Sequence, residues 1–478
     1  VGYGAQAMRI SRQSVLLAFV IGGCAASCFA ERAAAQAPVS LPRLEVAPGG
    51  RYLQTEDGRP FLYLADTAWQ LFHRLTLEEA EFYLRNRREK GFTVIQAVVL
   101  AELGGIDVPN ANGHLPLHGR DPGRPNELYF QDVDRILEVA QELGLYVAML
   151  PTWGSYWKVA GEDRPRLFDP AKARSFGRYL GERYRDRPVI WVLGGDQNID
   201  NGEERDIVEA MARGLEEGDG GRHLMTYHPR GPGRSSDYFH HADWLDFNMV
   251  QSSHAARDHD NGLFIEHDRR LIPAKPTLDG EPRYEALMVG FYLSGAQPAM
   301  RFDDYDVRQA AYWAMLSGAC GHTYGHNSVW QMWDPRHASV IGADIPWREA
   351  LDHPGAAQMR YLRRLLEARP FHLLVPEPRL IPNGPNWGGA KIRGAISSDG
   401  SFALVYSPRG EPFAVDRSRL QAKRLRESWY DPRYGTVTAI HTGDTSAIQT
   451  YQPPCSGRGS DWVLILDDAD VGLPFPLR

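Results

Sequence analysis

The stretch Val189-Ile190-Trp191-Val192-Leu193-Gly194-Gly195-Asp196-Gln197-Asn198 decides how the rest of the chain is read. After Pro188 it is apolar on both faces, the pattern of a strand covered on each side. Two glycines then release the backbone, and a carboxylate and two amides follow at once. A buried strand that delivers polar side chains at its C-terminal end is how a parallel α/β barrel presents reactive groups. The same residues also fit a turn in which Asp196 caps the next helix. Repetition of the pattern along the chain separates the two readings.

The pattern does repeat. Upstream, apolar runs at 61–65, 92–100 and 145–150 end in Asp66-Thr67-Ala68-Trp69, in Ala101-Glu102 and in Pro151-Thr152-Trp153. Downstream, runs at 224–227, 244–250, 276–282 and 319–327 end in His228, in Gln251-Ser252-Ser253-His254, in Glu281-Pro282 and in His326-Asn327. Helical periodicity is expected at 76–90, 130–143, 170–186, 203–216 and 304–317, with a closing or bridging helix at 356–368. Eight strands alternating with helices or crossovers predict a (β/α)8 barrel, an α/β fold of TIM type. After Pro370 the texture changes to short strands separated by Asp399-Gly400, Arg409-Gly410, Tyr434-Gly435 and Thr442-Gly443, which predict a small antiparallel β-sandwich. The expected organisation is 1–37 as upstream excess plus signal peptide, 38–60 as linker and N-terminal hairpin, 61–372 as barrel, and 373–478 as β-sandwich.

The 478 residues are 43% hydrophobic and 24% charged, with a formal net charge of −7, so a globular chain without a nucleic-acid footprint is expected. Met8-Arg9-Ile10-Ser11-Arg12 and the apolar run 15–23 read as a secretory signal starting at Met8. Two exits from it compete. Ala35-Gln36-Ala37 is a small-x-small cleavage site, and Ile21-Gly22-Gly23-Cys24 resembles a lipoprotein box with Cys24 as the lipid anchor. Simple export to the periplasm or medium is preferred, with an outer-membrane lipoprotein as the alternative. Only Cys320 and Cys455 lie beyond the signal, and two isolated thiols are expected.

In a barrel the strand ends meet at one mouth. The residues gathered there would be acidic, aromatic and amide-rich, and no phosphate-cradling glycine motif occurs among them, so no nucleotide cofactor is expected. Asp196 and Glu281 end the fourth and seventh strands, far enough apart around the ring to flank one bond. Cleavage of a glycosidic bond needs one carboxylic acid to protonate the leaving oxygen and one carboxylate to attack or to activate water. A loop carboxylate paired with Arg283 is the plainer reading of Glu281. Asp66, Trp69, Glu102, Trp153, Trp157, Gln197, His228, His322, Tyr324 and Trp330 are the expected substrate-binding set; the aromatic rings among them suit the apolar faces of sugars. Asp66 fits a helix cap equally well, and His322 fits a packed core histidine. His322 and His326 are four apart, but no His-x-His ends the first strand and no His-Glu-x-x-His helix exists, so no metal is expected.

Four stretches in this order are similar to one known family: 61–69, 191–196, Asp279-Gly280-Glu281-Pro282 and Gly321-His322-Thr323-Tyr324-Gly325. Over roughly 45–470 the chain resembles the apiosidase-like glycoside hydrolases (glycoside hydrolase family 140), exported bacterial barrels followed by a β domain of collagen-binding type. The resemblance implies Asp196 as acid/base, Glu281 as nucleophile, and a plant polysaccharide substrate, apiose-bearing pectin side chains among them. A non-catalytic surface protein that holds glycan or matrix is the rival expectation.

Overall fold

The computed structural model describes residues 41–158, 166–444 and 447–476. The signal-peptide reading, with Met8, Cys24 and Ala35-Gln36-Ala37, lies outside the described residues. Among the described residues no helix is long and apolar enough to cross a membrane.

One nine-stranded sheet forms the centre. Eight of its strands run parallel: β1 (Tyr63–Thr67), β2 (Val94–Leu100), β3 (Tyr146–Thr152), β4 (Val189–Leu193), β5 (Met225–Tyr227), β6 (Asn248–Gln251), β7 (Thr277–Glu281) and β8 (Gly321–Tyr324). The ninth, Gly233–Arg234, is an antiparallel addition to β6. β8 pairs with β1, and the ring closes between β5 and β6, where Asp246 N–H donates to Met225 O at 2.9 Å. This is the predicted (β/α)8 barrel. Strand pleating divides the side chains. On β4, Ile190 and Val192 fill the barrel interior, while Val189, Trp191 and Leu193 pack outward against helices. That two-sided burial is why the stretch carries no polar face. Each such aliphatic side chain contributes about 1.5–3 kcal/mol of burial.

The helices begin where their sequences can satisfy free N–H groups. Thr76 forms a capping box with Glu79 at α1 (Leu77–Glu89). Asn126 caps α2 (Glu127–Glu142), Asp169 caps α3 (Pro170–Tyr184) and Asn201 caps α4 (Gly202–Asp219). Between β5 and β6 the crossover holds only the short helix Ser236–Phe239 and the added strand. A helix without a sequence signal strong enough to be expected, α5 (Gly262–Asp268), follows β6. Asp303 caps α6 (Asp304–Leu316), and α7 (Pro354–Glu367) closes the outer layer.

Beyond α7, an antiparallel six-stranded sheet runs in the spatial order Leu374–Pro376, Arg393–Ser397, Phe402–Ser407, Trp462–Asp468, Arg424–Asp431, Thr436–Asp444, with a two-stranded ribbon of Phe413–Asp416 and Ile448–Tyr451. This β domain is bolted to the barrel by buried charge. The Arg308 guanidinium of α6 makes a two-pronged pair with Asp461, Nε to Oδ2 at 2.8 Å and Nη2 to Oδ1 at 2.6 Å. Arg369 repeats this with Asp467, and the Tyr312 and Tyr406 rings stack 4.8 Å apart across the same junction. Cys320 is buried and Cys455 exposed, both as free thiols.

Candidate active site

A cavity of about 380 Å³ opens at the C-terminal end of the barrel, walled by Trp69, Glu102, Trp153, Asp196, Glu281 and Trp330, with Arg230, Gln251, His254 and Tyr284 also facing it. Two local backbone features aim the carboxylates into it.

The first is the turn after β4. Gly194, Gly195 and Asp196 have φ of 94°, 81° and 58°, three consecutive left-handed residues. A Cβ on residue 195 would lie 2.7 Å from Gly154 N and 3.0 Å from Trp153 Cα. Only glycine fits there, on both conformational and steric grounds. The left-handed Asp196 is a strained non-glycine position, worth on the order of 1–3 kcal/mol. Its N–H donates to His228 Nδ1 at 3.2 Å.

The second is an irregularity in β7. Pairing with β6 joins Val250 to Asp279 and Gln251 to Glu281, skipping Gly280. Strict alternation would follow inward Leu278 with outward Glu281. The bulge turns Glu281 into the cavity instead. Asp279 stays outward, accepting from Ser252 Oγ at 3.0 Å and Asn261 Nδ2 at 2.7 Å.

Two imidazoles hold Glu281. His254 Nε2 makes a hydrogen bond to Oε1 at 3.0 Å. His228 Nε2 stands 3.0 Å from Oε2, at ion-pair distance but off the hydrogen-bond angle. Because His228 Nδ1 accepts from Asp196 N–H, its ring proton sits on Nε2, facing the carboxylate. Burial works to raise the Glu281 pKa, but the two imidazoles outweigh it and hold the carboxyl well below the usual range. Asp196 behaves oppositely. Burial, and next the charge of Glu281, push it up to about 6. Glu102, also buried and facing both acids, is pushed up to about 8, and its carboxyl has no hydrogen-bond partner among the described residues. Three carboxyls at one mouth are thus graded in acidity.

The aromatic wall is packed on His228. Trp69 meets its ring edge-on with centroids 5.5 Å apart, and Trp153 lies 5.6 Å from Trp69. Of the expected set, Trp69, Glu102, Trp153 and Trp330 line the cavity, and His228 braces it from behind.

The other expected positions face elsewhere. Asp66 is fully buried on the outer side of β1, accepting from Tyr83 Oη at 2.5 Å with Arg87 at 3.4 Å. Tyr324 likewise points outward, donating to Glu285 Oε2 at 2.5 Å. His322 shares that parity. Its two ring nitrogens are buried without partners, and burial lowers its pKa to about 3. All three fall on the wrong phase of the strand pleat to reach the mouth. Trp157 folds back so that its indole donates to Gly194 O at 2.7 Å, bracing the turn rather than the cavity. Gln197 does not line the cavity; its carbonyl accepts from Tyr227 Oη and its side chain packs on Gly154. His326, paired with His353 at 3.0 Å, is not among the residues that line the cavity. Glu281 pairs with the histidines, not with Arg283, whose guanidinium donates to Gln309 Oε1 at 3.0 Å. Arg230, Gln251 and Tyr284 were not singled out from the sequence. Gln251 stood in plain view as a strand-end amide, whereas Arg230 and Tyr284 lie on loops with no periodic signal.

A barrel mouth with one carboxyl raised and one lowered in pKa, ringed by tryptophans, is the arrangement of a glycoside hydrolase. Residues 47–372 match the family described as "Apiosidase-like, catalytic domain", and residues 375–467 match "Putative collagen-binding domain of a collagenase". The chain belongs to the apiosidase-like glycoside hydrolases. A solved structure described as a glycoside hydrolase is 33% identical, covers 91% of this chain and 98% of its own, and has a TM-score of 0.82. A glycoside hydrolase family 5 structure from Bacteroides vulgatus is 31% identical over 90% of this chain and 95% of its own, with a TM-score of 0.82. Another glycoside hydrolase structure from Bacteroides vulgatus, 16% identical with a TM-score of 0.61, shares the fold. No curated protein matches the sequence. Membership of a hydrolase family sets aside the non-catalytic alternative.

Proposed function

We propose that this glycoside hydrolase is exported and cleaves side-chain linkages in plant cell-wall polysaccharide, pectin and its apiosyl bonds among them, by a retaining two-carboxylate route. The observation that carries the reading is the opposite displacement of two carboxyls in one cavity. Asp196, raised to about 6 by burial and by Glu281, holds a proton at mildly acidic pH. Glu281 stays ionised beside His228 and His254.

In the first step Glu281 attacks the anomeric carbon, forming a glycosyl ester. The glycosidic C–O bond breaks as Asp196 passes its proton to the leaving oxygen. In the second step Asp196, now ionised, takes a proton from water. That water attacks the anomeric carbon, and the ester bond to Glu281 breaks. Glu102, neutral at its raised pKa, donates a hydrogen bond to a sugar hydroxyl, and Trp69, Trp153 and Trp330 cover the sugar faces. The exposed Arg230 side chain lines the cavity beside Asp196, whose acidity its charge increases, and no salt bridge ties it down among the described residues. A guanidinium at the rim of the cavity favours a glycan bearing carboxylates, as pectin does. Export rests on the basic start and apolar run of residues 8–23, with Cys24 lipidation as the alternative fate.

The deciding experiment offers the purified enzyme a panel of plant polysaccharides and oligosaccharides. Products are identified by mass, and the first-formed anomer by NMR. Release of a pectin side-chain sugar with retained configuration is expected. Turnover only on neutral, non-pectic glycans would remove the substrate assignment, and inversion would remove the covalent step.

A further inference from the structure

Among the described residues of the β domain, Trp387 is the most exposed aromatic side chain. Trp387 is 81% exposed, in the segment Ile381-Pro382-Asn383-Gly384-Pro385-Asn386-Trp387-Gly388-Gly389. A single exposed ring is common on protein surfaces, so its surroundings decide whether it serves as a contact face. The backbone that carries it is fixed rather than loose. Gly389 O accepts from Gln309 Nε2 and Lys391 O from the Trp313 indole, both at 2.9 Å and both on barrel helix α6. Beside it lies a cavity of about 330 Å³, whose lining includes Asn383, Asn386, Lys391 and Arg393. The two asparagine side chains have no hydrogen-bond partner among the described residues. The cations there are neutralised, Lys391 and Arg393 by Asp260 and Arg393 also by Glu266. The spot therefore offers a flat apolar face and free amides without net charge.

Its position relative to the catalytic mouth is tethered on both sides. His254 faces the catalytic cavity. Four residues on, the Asp258 carboxylate occupies the space a side chain on residue 389 would fill. At no more than about 3.6 Å per residue, the chain path from His254 through Asp258 and Gly389 to Trp387 spans roughly 28 Å at most, within reach of one oligosaccharide.

We propose that Trp387, with Asn383 and Asn386, is a second glycan-binding site that holds the polysaccharide outside the cavity. An exposed indole stacks on the C–H face of a sugar ring, and free amides pair with its hydroxyls. No carboxylate-reading cation is free there, so the site takes neutral sugar units of the polymer. The proposal rests on the reading that the barrel's substrate is a polymeric glycan.

The test uses the full chain. Native gels cast with each polysaccharide compare Glu281→Gln, which binds without turnover, with Glu281→Gln carrying Trp387→Ala or Trp387→Tyr. Kinetics then compare the wild type with Trp387→Ala on polymer and on a short oligosaccharide. Expected are loss of gel retardation in the alanine variant, retention with tyrosine, and a drop of about tenfold in polymer kcat/KM with short-substrate kcat/KM unchanged. Equal retardation of the alanine variant, or an equal loss on short and long substrates, would overturn it. If a non-pectic polymer is cleaved and Trp387→Ala loses hold of that polymer, the second site stands while the pectin assignment fails. If only short glycans are bound and cleaved, the barrel chemistry stands and the second site fails.

Discussion

His228 and Glu281 face each other at 3.0 Å, Nε2 to Oε2, with the imidazole oriented by the backbone N–H of Asp196. One ring thus touches the peptide of the proposed proton donor and the carboxylate of the proposed nucleophile. His254 completes the clamp from the other oxygen. These histidines are positioning residues for Glu281. Replacing His254 by Phe removes a charge-assisted hydrogen bond worth about 1.5–3 kcal/mol, so the Glu281 pKa rises by about 1–2 units. The acid limb of the kcat/KM profile is expected to move up by that amount, and the melting temperature at neutral pH falls by a few degrees. An unmoved limb would show that the imidazole does not set the carboxylate's charge.

The alkaline limb belongs to Asp196. Its acid form is the active one, so kcat/KM falls as pH rises through about 6. The charge of Glu281 is part of what holds that value up. In Glu281→Gln the Asp196 pKa is expected to drop towards the ordinary aspartate range. Carbon-13 NMR of the labelled carboxyl reads this directly, and turnover in both Glu281→Gln and Asp196→Asn should be lower by a factor of about 10²–10⁴ or more.

Glu102 separates charge from shape. With its pKa raised to about 8 it is neutral at pH 6, and Glu102→Gln should keep KM within about threefold, whereas Glu102→Ala raises it about tenfold. Stability carries a second readout. The folded pKa lies above the ordinary glutamate value of 4.5, so this residue's contribution is intact below that pH and is lost as pH rises through about 8. Glu102→Gln should therefore melt higher than wild type at pH 8.5 and not at pH 4. Identical melting curves at both pH values would mean that the carboxyl ionises freely.

Gly195→Val asks whether the left-handed turn serves chemistry. The new side chain meets the backbone of Gly154 and Trp153 and a disfavoured φ. A stability loss of about 1–3 kcal/mol is expected. At a temperature where the variant is fully folded, kcat should still fall more than tenfold, because Asp196 no longer points into the cavity.

Asp461→Asn tests the junction between barrel and β domain. It takes away the buried anion of the Arg308 guanidinium and leaves only the partly exposed Asp304 carboxylate, 3.0 Å from Nη1; breaking such a buried pair costs up to about 3–5 kcal/mol. Calorimetry should show one transition at lower temperature for the whole chain. Melting of the β domain alone, with the barrel unaffected, would show that the two fold independently.

The barrel was legible because its strands are unbroken apolar runs that end in glycines and polar residues, a signal that survives without any partner in view. The β domain was legible from its turn dipeptides. The crossover from β5 to β6 was not, since it is built from one turn of helix and a two-residue strand. Asp196 and Glu281 were placed at the mouth because they end strands, and both line the cavity. Asp66, His322 and Tyr324 were misplaced for the same reason: being at a strand end says nothing about which face a side chain takes. Counting by twos from Tyr63 sends Asp66 outward, and His322 and Tyr324 share one outward phase. Glu281 is the instructive exception. By the same count it too would turn away, and only the skipped register at Gly280, invisible in sequence, brings it round. The pairing of Glu281 with two histidines was equally hidden, because it depends on where three separate strand ends stop.

The buried lock between Arg308 and Asp461 has a consequence for how the enzyme would meet a polymer. A binding module on a loose tether searches a volume and raises the local concentration of substrate. Here the Trp387 face is bolted at one separation from Glu281, so it works as a ruler. With one unit of the chain gripped at that face, the bond presented at the mouth is set by counting units between the two points. Lengthening the protein between them would change which bond is cut, not how often the polymer is found.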